Sequence, residues 1–177
     1  RYLTWQNENY MVSFYARVNY SLASRYLFTL SLRTDGSSKF SPATRWGVFP
    51  SGAFAWNMKE EGFLKDVSWL SALKFRLSAG ITGQQDGIGD YVHLARYSFT
   101  NNSSWTYNMG GQNFVKILTP QAYDPTIRWE TTMTYNVGID YGFFHDRLYG
   151  SVDAYVRDTR DLLNSVQVPM GSNFGNR

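Results

Sequence analysis

Few side chains in this sequence are spaced for chemistry. The two histidines, His93 and His145, are the residues best suited to exchange protons near neutral pH. Neither belongs to a Ser/His/Asp constellation, and with no cysteine there is no thiol nucleophile, thiolate ligand or disulfide. His145 sits in the turn-forming run Phe144-His145-Asp146 and reads as a solvated turn residue; His93 lies in or near a loop. Asp86-Gly87-Ile88-Gly89-Asp90 brings two carboxylates together as a cation loop does, but the spacing is not that of an EF-hand. Gly and Asp are in any case what turns use. Asp158 and Asp161 flank the end of a strand-like run and read as loop solvation, and Asn101-Asn102-Ser103 is a glycosylation sequon without meaning in a bacterial host. These residues point away from catalysis, and they call for no metal and no cofactor.

A second set of charges is better organised. Arg17, Arg33, Arg76, Glu130, Asp140 and Arg157 each occupy the polar phase of an alternating run. Side chains of a strand alternate between its two faces, so all six are expected to project from one polar wall. The bland role for such charges is ion pairing within the wall; the sharper one is a polar path for a passing substrate.

The wall is clearest between Ile127 and Asp158. Trp129, Thr131, Met133, Tyr135, Val137, Ile139, Tyr141 and Phe143 fall on one face, with Arg128, Glu130, Thr132, Thr134, Asn136, Gly138, Asp140 and Gly142 on the other. After the turn, Leu148, Gly150, Val152, Ala154 and Val156 continue the apolar phase, and Arg147, Tyr149, Ser151, Asp153, Tyr155 and Arg157 the polar one. Strands of soluble proteins typically run about 5–6 residues, whereas these two run for about 15 and about 11. A membrane-crossing β-strand needs roughly 9–11 tilted residues, apolar toward lipid and polar toward the lumen.

Composition agrees. Aromatic residues make up 18% of the 177, which favours strands and interfaces. Mean hydropathy is −0.38 and no run of 18 apolar residues occurs, which excludes a transmembrane helix but not a barrel. A net charge of +3, with Lys and Arg scattered, gives no nucleic-acid footprint. The chain opens Arg1-Tyr2-Leu3 with no apolar leader and closes in a loop-like stretch, so it is expected to be a piece of an exported protein.

Taken in order, strands are expected at Tyr10–Ser21, Arg25–Thr34, Arg45–Asn57 and Leu73–Thr82, ahead of the two already described. Pro50 and Gly52 predict a bulge or break in the third. Lys59–Ser71 carries Phe63, Val67 and Leu70 at i, i+4, i+7 and predicts a connecting helix. Gly83–Asp124 is a long irregular region in which Tyr91–Phe99 and Phe114–Leu118 are candidate strand extensions. Connections alternate in length, so zigzagging strands place the tight turns and the helical connector at one end and the long loops at the other. Outer-membrane barrels have short periplasmic turns and longer extracellular loops. Six strands do not close such a barrel, since bacterial ones start at 8. Either the two extensions complete a small barrel or the chain is a segment of a larger one.

Several stretches resemble the SusC/RagA family of TonB-dependent outer-membrane transporters. They are Arg17-Val18-Asn19-Tyr20-Ser21, then Tyr26 through Arg33 continuing as Thr34-Asp35-Gly36-Ser37-Ser38-Lys39-Phe40, then Arg45-Trp46-Gly47-Val48-Phe49-Pro50-Ser51. Leu73 through Gln85, Trp129-Glu130-Thr131-Thr132, Tyr135 through Asp140 and Arg147 through Asp153 follow in the family's order. The match is to the later half of the barrel. The resemblance implies an all-β fold, an antiparallel transmembrane β-barrel segment forming part of a 22-stranded plugged barrel. It implies that residues 1–177 are a partial barrel domain, with plug, TonB-contacting box, N-terminal regions and final strands lying elsewhere. It further implies energy-coupled import of glycan oligosaccharides or peptides across the bacterial outer membrane. The implied partners are TonB and a SusD/RagB-like surface lipoprotein, which captures substrate as a lid before the plug is remodelled. On that view the protein is not an enzyme. Trp105 and Tyr107 in the long loop are candidates to stack on sugar rings or meet the lid, or else to steady the loop as a small cluster. Tyr10, Tyr20, Tyr26, Trp129 and Phe143 are expected in aromatic girdles against outer-membrane lipid. The rival readings are a small closed outer-membrane barrel with a structural or adhesive role, and a soluble aromatic-rich carbohydrate-binding β-protein.

Overall fold

The computed structural model describes residues 6–100, 107–114, 117–121 and 123–164. Its frame is one six-stranded antiparallel sheet in the order β1-β2-β3-β4-β9-β10. The strands are β1 (Met11–Leu22), β2 (Tyr26–Ser37), β3 (Trp46–Asn57), β4 (Leu70–Gln84), β9 (Glu130–Phe143) and β10 (Leu148–Arg160). Each pairs with the next in an unbroken meander, and the six expected strands are all present. Alternation explains why they form: apolar residues meet apolar residues across every ladder. Val18 lies opposite Leu30, Phe28 opposite Phe54, Leu77 opposite Val137 and Ile139 opposite Val152.

Connections follow the expected parity. The turns β1–β2 and β9–β10 and the β3–β4 connector share one end of the sheet; the β2–β3 loop and the long β4–β9 connection share the other. The tight turns are made without glycine. Ala23 and Ser24 adopt φ of 52° and 56°, and Phe144, His145 and Asp146 adopt 55°, 59° and 60°. Left-handed backbone reverses the chain in few residues, at a steric cost to any residue with a Cβ.

Three expectations, on the connections and on β3, take a more specific form. The helix over Lys59–Ser71 reduces to a 3-10 turn, Met58–Glu60, and a single helical turn, α1 (Gly62–Lys65). Among the described residues its apolar spacing finds no surface to bury against, and Leu70 is instead taken into β4 opposite Phe143. The Lys59 ammonium then donates to the carbonyls of Leu64, Lys65 and Val67 at 2.8–3.1 Å, closing the helix early. Second, the candidate extensions do not join the main sheet. Short strands β5 (Tyr97–Thr100) and β8 (Ile117–Pro120) pair with each other, as do β6 (Tyr107–Met109) and β7 (Gln112–Phe114). Gly110 and Gly111, at φ 63° and 79°, supply the two left-handed residues that the two-residue β6–β7 turn requires. Third, β3 runs unbroken past Pro50, which stays in register with Leu32 of β2. The break falls on the other side: the β3–β4 ladder stops at Ser51 opposite Gly80, one residue short of Pro50, whose nitrogen has no proton to donate.

Beyond that point β3 and β4 part, and the loop end carries the buried core. Phe40, Phe49, Ile88 and Trp129 form one cluster, flanked by Ile81, Val92, Ile127 and Leu163. Trp129 is therefore not a girdle residue. It precedes the first paired residue of β9, is only 6% exposed, and its indole donates to the Arg45 carbonyl at 3.0 Å. Its ring lies 4.9 Å from Phe40 and 5.5 Å edge-on from Phe49.

Candidate functional site

The sheet has two chemically distinct faces, set by the parity of each strand. Val18, Leu30, Val48, Leu77, Val137, Ile139, Val152 and Val156 share one face and are all exposed. Toward the tight-turn end of that face runs an aromatic belt. Tyr20 neighbours Phe28, Phe28 neighbours Phe54 at 5.0 Å, and Tyr26 stacks on Phe54 and Trp56. Farther along the same end, Tyr141 stacks on Phe143. Toward the loop end Phe14 stacks on Trp46 at 6.2 Å.

Arg17, Arg33, Arg76, Glu130, Asp140 and Arg157 lie on the other face by the same registers. Their partners are local. The Arg76 guanidinium donates to both oxygens of Asp140, at 2.7–3.1 Å, and also reaches the Asp153 carboxylate at 3.0 Å. The result is one cation between two anions. Gly138 makes it possible: it lies opposite both Arg76 and Asp153, and a Cβ there would stand 3.0 Å from Arg76 Nη2 and would collide with the Asp153 carboxylate. Arg33 pairs with the buried Asp35 at 2.8 Å. Arg17 lies over the Tyr15 ring and Arg157 over the Tyr155 ring, 5.5 and 5.9 Å from the centroids. Glu130 accepts from the Leu163 amide at 3.4 Å.

Between these charges the wall is neutral and hydroxyl-rich. Ser31 and Ser51 share a 2.6 Å hydrogen bond, and Thr29 donates to Asn19 at 2.9 Å. Thr29, Ser31 and Ser51, with Arg33, Ser78, Thr134 and Asn136, line a hollow of about 840 Å³. At its loop end the rim is tied together by side-chain bonds. Thr44 donates to the Ile127 carbonyl at 2.6 Å, Tyr91 to the Glu8 carbonyl at 3.0 Å, and Asn9 to Asp90 at 3.3 Å.

The remaining chemical candidates fall apart on inspection. The His93 Nδ1 sits 3.0 Å from the Lys39 carbonyl, a loop-fastening contact, and His145 occupies the left-handed turn. Asp90 is spent on Asn9, and among the described residues no cluster of His, Cys, Asp or Glu is arranged to hold a metal ion. Trp105 lies outside the described residues; Tyr107 opens β6, and its side chain is likewise outside them. Asp153 was missed as a member of the charged set. The hairpin register places it: Asp140 opposes Ser151, so Asp153 falls two residues on along the same face, across from Gly138.

Compared with known proteins, residues 2–176 match the family model described as TonB dependent receptor-like, beta-barrel. The TonB-dependent receptor SusC of Bacteroides thetaiotaomicron is 48% identical over 170 residues, which are 96% of this chain and 17% of that protein. The TonB-dependent receptor P3 of Formosa agariphila is 41% identical over 162 residues, 90% of this chain and 15% of that one. Among solved structures, that of the RagAB peptide transporter superposes with a TM-score of 0.80 at 30% identity, covering 96% of this chain and 18% of the matched chain. The chain thus spans less than a fifth of the length of each of these relatives.

Proposed function

The chain belongs to the TonB-dependent receptor β-barrel family, and from that premise we propose that it forms part of the wall of a nutrient importer. Receptors of this family are β-barrels of the bacterial outer membrane. The observation that carries the reading is the division of the sheet. Its outer face is apolar across all six strands, with belts of aromatics toward its ends, and its inner face is polar, with Arg33 and Arg76 held in ion pairs. A lipid-facing and a lumen-facing wall differ in this way.

In this reading the six strands are one arc of a 22-stranded barrel. The plug and the TonB-contacting segments lie outside residues 1–177. The cargo is an oligomeric nutrient, a glycan or a peptide, captured beneath a SusD/RagB-like lipoprotein and passed inward when TonB remodels the plug. Arg17, Arg33, Arg76, Glu130, Asp140 and Arg157 face the lumen and shape its field, and Trp105 and Tyr107 belong to the extracellular loop that meets cargo or lid. No step of this passage needs bond-making by the protein. The small closed barrel is disfavoured because the short strands β5–β8 pair among themselves and, among the described residues, leave the main sheet open.

The first test is the denatured mass of the native polypeptide extracted from outer membranes, with its co-purifying proteins identified. A mass several times 20.4 kDa, accompanied by a lipoprotein, supports the importer. A mass near 20.4 kDa sinks it.

A further inference from the structure

The β3–β4 connector, residues 58–69, does not hang free below the sheet. Its Glu61 carboxylate accepts from the Tyr26 hydroxyl at 2.7 Å, from the Trp56 indole at 3.1 Å and from Arg25 at 3.3 Å. Tyr26 and Trp56 oppose each other across β2 and β3, in phase with Phe28, Leu30 and Phe54, so they belong to the outer, apolar face. The connector is thus fastened to the outside of the rim. Its far end is fastened the same way: Trp69 stacks on Phe143, 5.8 Å away, and the Trp69 carbonyl accepts from the Phe144 amide at 2.8 Å. Along this stretch and the adjoining turn, apolar side chains stay exposed. Phe63 is 68% exposed, Trp69 55% and, from the adjoining turn, Phe144 57%.

We propose that this connector is a membrane anchor, with Phe63, Trp69 and Phe144 seated in the headgroup layer of the phospholipid leaflet at the tight-turn end. The occupant follows from continuity. The exposed rings extend the aromatic belt of the lipid-facing wall; Trp69, a ring with a polar handle, settles at that depth, and Phe63 and Phe144 add apolar area beside it. Glu61 explains the direction. A carboxylate that gathers the tips of two belt residues draws the connector over the lipid side instead of beneath the lumen, and leaves Phe63 no protein surface among the described residues to cover it. The inference rests on the outer face being the lipid face.

The test is spin-label accessibility in the full-length protein, made cysteine-free elsewhere and reconstituted into phosphatidylethanolamine/phosphatidylglycerol vesicles. Labels are placed singly at Phe63→Cys, at Val137→Cys in mid-strand and at Glu8→Cys at the loop end, and are read on protein that keeps its folded electrophoretic mobility. Collision with a water-soluble nickel chelate at Phe63 is expected to fall several-fold below that at Glu8, with collision with dissolved oxygen raised toward that at Val137. A Phe63 label as open to the chelate as Glu8, beside a protected Val137, overturns the anchor and leaves the barrel standing. A Phe63 label shielded from both reagents overturns it in favour of a protein contact. A Val137 label open to the chelate overturns the membrane reading itself.

Discussion

At Gly138 a missing side chain matters more than any group that could stand there. The Arg76 guanidinium and the Asp153 carboxylate occupy the space a Cβ would take, which is how one arginine reaches two acids on neighbouring strands. Gly138→Val therefore separates the triad without altering a charge. It is expected to lower the thermal midpoint of the detergent-solubilised protein as much as Arg76→Ala does, with the double variant no worse than either; additive losses would refute the coupling. Neighbouring positions on one strand test the two faces. Val137→Arg places a charge on the outer, apolar face and, if that face meets lipid, should cost about 2–4 kcal/mol near mid-membrane. Asn136→Arg, on the inner wall, should cost less, and equal tolerance of the two in folding titrations would count against the assignment. Glu61 makes a pH prediction. The hydroxyl of Tyr26, with Trp56 and Arg25, holds its carboxyl below the usual carboxylate range. A depressed native pKa stabilises above the unfolded value and is lost as pH falls through the native one. The connector should accordingly stay fastened at neutral pH and loosen only in acid below the ordinary range, and Glu61→Gln should remove that acid transition from the spectroscopic signal of the connector.

At the scale of elements, length and parity were legible while the ends were not. The first strand of the β9–β10 hairpin starts at Glu130, because Asp124 accepts from the Thr126 amide and hydroxyl and holds the preceding residues in a turn. Strand β4 begins at Leu70 because pairing with β9 offered Leu70 a buried place that a short helix did not. The loop-end cluster was likewise invisible in any single segment, since its members come from a loop, two strand ends and the long connection. Phe40 is fully buried there. Phe40→Ala is expected to cost about 3–5 kcal/mol, the usual range for emptying such a site. Because the cluster fastens loops and not the ladder, the loss should surface as faster amide exchange over residues 38–45 and 85–96, with β9 and β10 unchanged. Exchange rising evenly through the sheet would show that the cluster supports the whole wall.

For the whole molecule the decisive feature is an open sheet. Among the described residues nothing pairs with the outer edges of β1 and β10, and both strands are exposed along nearly their whole length. Long unpaired edges beside a broad apolar face invite association. Residues 1–177 expressed alone are expected to aggregate in detergent, with sedimentation showing no monodisperse species, while the full-length protein runs as a discrete particle that shifts mobility on heating. A monomeric, cooperatively folded fragment would contradict the proposal that the arc is completed by other strands of the same barrel.

What the sequence determined by itself was local and periodic. Alternation of period 2 assigned each of the six charged residues to one wall, turn chemistry counted the strands, and loop lengths oriented them, because each depends only on residues near one another in the chain. Tertiary structure decided whatever depends on how strands meet. Trp129 left the girdle because β3 and β4 part beyond Ser51 and Gly80 and a ring fills the gap. Asp153 joined Arg76 because register, not spacing, brings them over Gly138. The connector turned to the outer face because Glu61 found two polar tips there.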